Sequence, residues 1–211
     1  MSLFITFEGP DGSGKSTQAR LLADALQQRG LSVLLTREPG GTELGDELRE
    51  IILDPSSPPA TPLAMTLLYS ASRTQLVETV IRPALAEGRL VIADRYADST
   101  IAYQSCGLGV PLDTVRALAR IATGGLGPDV TVYVDIDPER GLERLVNRGG
   151  RDRLDAQALD FHERVRQGYR ALMCEDPGRW VEVDGSGTTE AVQGAIMEAI
   201  EPRLREVAGA V

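Results

Sequence analysis

Glu8-Gly9-Pro10-Asp11-Gly12-Ser13-Gly14-Lys15-Ser16-Thr17 is the stretch from which the fold can be read. Gly9, Gly14, Lys15 and Ser16 fit G-x-x-x-x-G-K-[ST], the phosphate-binding loop. Leu3-Phe4-Ile5-Thr6-Phe7 before it reads as a buried strand. Residues 16–28 after it read as an amphipathic helix, with Ala19, Leu22, Ala23 and Leu26 on one side. A strand, a glycine-rich turn and a helix start gather backbone N–H groups and the positive end of a helix dipole around one point. Gly9, Asp11, Gly12, Ser13, Gly14, Lys15, Ser16 and Thr17 are therefore the candidate cradle for a phosphate chain. Lys15 is the only lysine, whereas the other 21 of the 22 basic residues are arginine. A compact ammonium on a flexible stem suits such a cradle; a planar guanidinium does not.

The 211 residues suffice for one domain spanning 1–211. A hydrophobic content of 42% and a charged content of 25% are those of an ordinary globule. No apolar run approaches a membrane span, and the first residues lead straight into a strand, so no signal peptide and no membrane are expected. Cys106 and Cys174 show no metal-ligand spacing, which points to a reducing, cytoplasmic setting. The net charge of −9 argues against a nucleic-acid partner. An acidic chain that handles phosphates has to concentrate its cations locally.

Strand signals at 3–7, 32–36, 90–93, 130–135 and 180–183 alternate with helical patterns. The helices read at about 16–28, 43–53, 63–87, 96–105, 111–122, 138–147, 156–173 and 188–207. The alternation predicts an α/β fold, a parallel sheet with helices on both faces. Pro83 should kink or end the long third pattern. Ligands of such sheets bind beyond the carboxyl ends of the strands, and the polar motifs fall there. Asp11 follows the first strand, Arg37 the second, and Asp94-Arg95 the third.

Thr36-Arg37-Glu38-Pro39-Gly40-Gly41-Thr42 forces a turn that lets backbone approach a ligand. Arg37 is there either a bidentate anion clamp or an exposed loop arginine. Tyr69 and Arg73 share a helix face. They either serve a base, by stacking and by donating to a carbonyl, or are a core aromatic and an arginine that snorkels outward. Asp94 is a natural partner of Mg²⁺ beside the Ser16 hydroxyl, or else a helix-capping or salt-bridging aspartate. Arg95 is a second clamp candidate, and Tyr96, Ser99 and Tyr103 share a face with Gln104 at its margin. Asn147-Arg148-Gly149-Gly150-Arg151-Asp152-Arg153 breaks a helix with two glycines. It reads either as an arginine-bearing lid at about 146–156 or as a solvated loop. His162 lies mid-helix, so a packing or surface role is expected rather than a metal or a base.

These segments together resemble the thymidylate kinase family. Phe7 to Thr17 is similar to its phosphate loop, and Arg37-Glu38-Pro39-Gly40-Gly41 to its second signature. Leu67-Leu68-Tyr69-Ser70-Ala71-Ser72-Arg73 is similar to its base-binding helix. Asp94-Arg95-Tyr96 with Ser99, Ala102, Tyr103 and Gln104 is similar to its third signature, and Asp152-Arg153 to its lid. The resemblance implies a P-loop NTPase-type three-layer α/β/α fold with a five-stranded parallel sheet. It implies transfer of the γ-phosphoryl group of ATP to dTMP with Mg²⁺, in a homodimer. Position by position, it implies that Lys15 and the loop amides hold ATP and that Ser16 and Asp94 serve the metal. Arg37 and Arg95 hold the acceptor phosphate, and Asp11 approaches the sugar 3′-hydroxyl. Pro39, Tyr69, Arg73, Ser99, Tyr103 and Gln104 complete the dTMP site. Two departures stand out. Some members carry a basic residue at the place of Gly12, so here Arg148, Arg151 and Arg153 of the lid are expected to supply that charge, as in the bacterial type. Leu108 stands where many relatives have arginine.

Part of this chemistry follows from the residues themselves. An acceptor that is already an ionised phosphate needs no strong general base, which agrees with the lack of a catalytic histidine. Arg73 can only donate, so it favours a keto oxygen over cytosine's amino group. Tyr103 is placed to crowd a ribose 2′-hydroxyl. Two other readings compete: a deoxynucleoside kinase with Glu38 as its base, and a nucleotide-sensing module without turnover.

Overall fold

The computed structural model describes residues 2–147, 154 and 157–208. Five parallel strands form one sheet in the order β2-β3-β1-β4-β5. They are β1 (Leu3–Glu8), β2 (Val33–Arg37), β3 (Leu90–Asp94), β4 (Val130–Asp135) and β5 (Trp180–Asp184). Each lies within a residue or so of the span read from the sequence. Every residue of β1 is buried, as a central strand covered on both faces requires.

Side-chain alternation along β1 divides the core. Leu3, Ile5 and Phe7 pack under α1 (Lys15–Gln28) and α9 (Thr189–Ala208), against Leu22, Leu26, Ile196 and Ile200. Phe4 points to the opposite face, where Leu76, Val77, Ile81 and Tyr96 cover it. On that face lie α3 (Pro62–Leu76) and α8 (Leu159–Glu175), which enclose Tyr69, Tyr103, Tyr133, Phe161 and Tyr169. The remaining helices are α2 (Glu43–Leu53), α4 (Arg82–Ala86), α5 (Ala97–Thr100), α6 (Leu112–Thr123) and α7 (Pro138–Asn147).

Two helical stretches depart from simple α-helix. The pattern read at 63–87 widens into π-helix over Val77–Ile81 and resumes as α4, with Pro83 in its first turn. The wider turn accommodates a ring that cannot supply an N–H, so the proline interrupts the helix without ending it. The pattern read at 96–105 is four residues of α5 followed by π-helix over Ile101–Gly107.

β1 sits between β3 and β4. The connection after β1 leads out to edge strand β2, and the one after β3 crosses to β4. That reversal opens a crevice at the carboxyl edge beside β1. The register sets Arg37 level with Asp94, and Asp94 level with Phe7. Three motifs far apart in sequence thus meet at one height.

Helix α7 seats directly on the loop after β1. A Cβ at Gly141 would stand 2.4 Å from the Asp11 carbonyl oxygen. Gly141→Ala is therefore expected to cost about 1–3 kcal/mol of stability by overpacking. In a chain of this size each kcal/mol lowers Tm by about 2–4 °C, readable by calorimetry. An unchanged Tm would contradict the seating of α7.

Candidate active site

The loop from Gly9 to Gly14 bends through left-handed backbone at Gly12 and Gly14, with φ of 77° and 94°. Gly14 caps α1 without any side-chain hydrogen bond, and the first turn of α1 carries no acidic residue. The amide donors of that turn are thus left for an anion. Gly12 also explains an absence. A Cβ there would lie 2.1 Å from the Gly141 carbonyl oxygen, so no side chain fits at this place in the loop.

A hollow of about 300 Å³ opens at the carboxyl edge of the sheet. Its lining includes Asp11, Gly12, Gly14, Lys15, Ser16, Thr17, Arg37, Pro39, Tyr69, Arg73, Asp94, Arg95, Ser99, Tyr103 and Gln104. Lys15, Arg37, Arg73 and Arg95, from four separate segments, share it. Of the residues singled out in the sequence, Gly9 and Ser13 lie in the loop behind the lining. Arg148, Arg151 and Arg153 lie outside the described residues.

Asp11 holds the cations in place. Its carboxylate accepts from Arg95 Nη2, lies 3.6 Å from Lys15 Nζ, and accepts from the Tyr103 hydroxyl at 2.7 Å. Burial alone would raise its pKa, but the charges of Arg95 and Lys15 overcome it and hold the carboxyl below its ordinary value. Lys15 is 6% exposed, and burial lowers its pKa, with Arg95 adding to the effect. Arg95 adopts left-handed backbone, φ 71°, uncommon for a residue with a side chain. Its N–H donates to the Phe7 carbonyl at 2.9 Å. Its guanidinium lies 4.8 Å from the Tyr103 ring centroid. Arg37, by contrast, is exposed and pairs with Asp46 at 3.2 Å, a surface contact weak enough to exchange.

Arg73 does not snorkel outward. It is 1% exposed and pairs at 2.7 Å with Glu38, while Nη2 donates to the Tyr96 carbonyl and to Thr100 Oγ1. Its Nη1 is buried and finds no hydrogen-bond partner among the described residues, and neither does Gln104 Nε2. Both residues line the hollow, so it offers two unsatisfied buried donors. Burial raises the Glu38 pKa despite Arg73.

Asp94 Oδ1 is also buried without a partner among the described residues, in the same hollow as the exposed Ser16. One carboxylate, one hydroxyl and the oxygens of a phosphate ligand are the donor set that Mg²⁺ takes. No group of three or more His, Cys, Asp or Glu residues that could hold a metal occurs among the described residues.

A second hollow lies on the other side of the loop, lined by Thr17, Gln18, Arg144, Gly187, Thr188 and Thr189 among others. Arg144 Nη1 donates to the carbonyls of Gly12 and Gly185. One wall of this hollow is the phosphate loop itself, through Ser13, Gly14 and Thr17, while the opposite wall carries no sequence signal beyond an arginine among many. His162 is buried against the Phe161 ring, a packing position. Leu108 packs against the aromatic core instead of presenting a charge.

The model of the family described as thymidylate kinase matches residues 7–196. The chain is 51% identical to the thymidylate kinase of Roseiflexus castenholzii, over 98% of this chain and 96% of that protein. It is 47% identical to the thymidylate kinase of Deinococcus radiodurans, over 95% and 97%. The crystal structure of thymidylate kinase from Ehrlichia chaffeensis superposes with a TM-score of 0.78 at 31% identity, covering 95% of this chain and 98% of that one.

Because Arg73 is buried, removing its partner strands a charge. Glu38→Ala is expected to destabilise the fold by about 3–5 kcal/mol in a denaturant titration. A loss below about 1 kcal/mol would contradict the buried pair.

Proposed function

The chain belongs to the thymidylate kinase family, whose reaction moves the γ-phosphoryl group of ATP to dTMP, and on that premise we propose how its own residues perform the transfer. The products are dTDP and ADP. The observation that carries the assignment of residues is the pair of unsatisfied buried donors, Arg73 Nη1 and Gln104 Nε2, in one hollow with Lys15 and Arg95.

Thymine presents two keto oxygens and one N–H. Arg73 donates to a keto oxygen, and Gln104 can donate and accept at the same edge. Tyr69 stacks on the ring, and Pro39 closes the pocket beside it. The Tyr103 hydroxyl is committed to Asp11, which puts its ring beside the sugar and leaves no room for a 2′-hydroxyl. Asp11 receives the 3′-hydroxyl.

The acceptor phosphate displaces Asp11 from Arg95 and draws Arg37 away from Asp46. On the donor side the uncapped amides of Gly14 to Thr17 and the Lys15 ammonium hold the ATP phosphates. The second hollow, with Arg144 and Thr189, takes the adenosine. Ser16 and Asp94 would hold Mg²⁺, which would supply charge neutralisation to the phosphate ligand. Arg148, Arg151 and Arg153, in the proposed lid of a single domain, add positive charge to the donor. No side chain needs to remove a proton, since the attacking oxygen is already anionic and catalysis is positioning and charge compensation.

The nucleoside-kinase alternative would use Glu38 as a base. That carboxylate is committed to Arg73, which favours the monophosphate reading. We also propose a homodimer. Leu63, Leu67 and Ile121 on α3 and α6 are exposed, which suits a partner surface. Cys106 and Cys174 are free thiols, in keeping with a cytoplasmic setting. Among the described residues no helix is long and apolar enough to cross a membrane.

A coupled ADP-release assay across nucleoside monophosphates and thymidine tests the reading. Turnover is expected with dTMP and none with thymidine; the reverse would overturn it. Lys15→Ala should lower kcat by about 10²–10³. A kcat within twofold of the parent would contradict its role at the donor phosphates.

A further inference from the structure

Glu8 is a fully buried carboxylate that the transfer does not use. It is the last residue of β1 and alternates onto the face of Phe4 and Thr6, toward α5 and α8, away from the anion loop. Four donors converge on it. Oε1 accepts from the backbone N–H of Tyr96 at 2.8 Å and of Ser99 at 3.3 Å. Oε2 accepts from the Ser99 hydroxyl at 2.5 Å and the Tyr169 hydroxyl at 2.8 Å. The two hydroxyls lie 2.9 Å apart. Arg95 Nη1 donates to those same two oxygens, at 3.0 Å to Ser99 and 3.3 Å to Tyr169.

Counting protons gives the arrangement a direction. Each hydroxyl has one hydrogen and two lone pairs. With the hydrogens turned to Glu8, the lone pairs are left for the guanidinium. Arg95 Nη1 is thereby held from behind by these two hydroxyls, beside the Gly9 carbonyl at 3.3 Å, while Nη2 faces Asp11 in the substrate hollow. Burial first, and the charge of Asp98 second, push the Glu8 carboxyl up to about 7, and its hydrogen-bond donors and Arg95 work against that rise. The same carboxylate fixes the Tyr96 N–H next to the left-handed backbone of Arg95.

We propose that Glu8 is a positioning residue for Arg95, acting through the Ser99 and Tyr169 hydroxyls to aim the guanidinium at the acceptor phosphate of dTMP. The proposal rests on the reading of Arg95 as the acceptor clamp. It assigns Ser99 to the support of that clamp instead of to the base.

Glu8→Gln tests it with almost no change of shape. An amide facing the hydroxyls donates, so their hydrogens turn toward Arg95 and meet another donor. A network hydrogen bond to a charged group, once lost, is expected to raise KM for dTMP by about tenfold. KM for ATP should stay within twofold. Tyr169→Phe removes one of the two hydroxyl acceptors and should act in the same sense, and it carries the test together with Ser99→Ala if Glu8→Gln does not fold. In an Arg95→Ala background neither Glu8→Gln nor Tyr169→Phe should raise KM for dTMP further. A merely structural Glu8 would shift both KM values together, or would add to Arg95→Ala, and either result overturns the proposal. So does an unchanged KM for dTMP in all three single variants. If Arg95→Ala itself leaves KM for dTMP unaltered, the clamp reading fails, and the positioning role falls with it. If Arg95→Ala raises that KM while the supporting variants do not, only the positioning role fails.

Discussion

Asp11 bridges Arg95 and Lys15, and this shared carboxylate is the interaction on which the site depends. Two cations kept in one small hollow repel each other. Unit charges 4 Å apart at an effective dielectric of 20 interact by about 4 kcal/mol, a large share of a domain's stability. With Asp11 between them, the cations can be assembled before any substrate arrives. The arrangement is compensated when empty and recompensated when phosphates enter, since Arg95 and Lys15 exchange one anionic partner for another. A net charge of −9 is compatible with binding two polyanions because the cations that matter are concentrated at one edge of the sheet.

The sheet makes that concentration possible. Central β1 feeds the anion loop on one side and buries Glu8 on the other. Parallel register brings Arg37 and Asp94 to the same height. Gly12 and Gly141 share one purpose: they let α7 and the loop approach backbone to backbone. Arg144 then ties α7 to the Gly12 and Gly185 carbonyls. The donor side is therefore built mostly of backbone, and the acceptor side of side chains.

What could be read in the sequence was local. Gly9 to Thr17 announces itself by spacing, and the strand ends at Arg37 and Asp94-Arg95 by position after an apolar run. Periodicity placed the helices but could not separate α-helix from the π-helical turns at Val77–Ile81 and Ile101–Gly107, because the apolar pattern barely changes. Pairings between distant residues were not legible. Arg73 among apolar neighbours signalled a need for a partner without naming Glu38, 35 residues away. Glu8 gave only the hint of a carboxylate ending a buried strand, and its hydroxyl partner Tyr169 is 161 residues distant. The second hollow shares Ser13, Gly14 and Thr17 with the phosphate loop, but its far wall around Arg144 and Thr189 carries no motif.

The most direct measurement is a crystal structure of the chain with dTMP and a non-hydrolysable ATP analogue bound together. The dTMP phosphate is expected at hydrogen-bond distance, about 3 Å, from the Arg95 guanidinium and facing donor phosphates held by Lys15. A dTMP phosphate lodged elsewhere, with Arg95 still on Asp11, would contradict it.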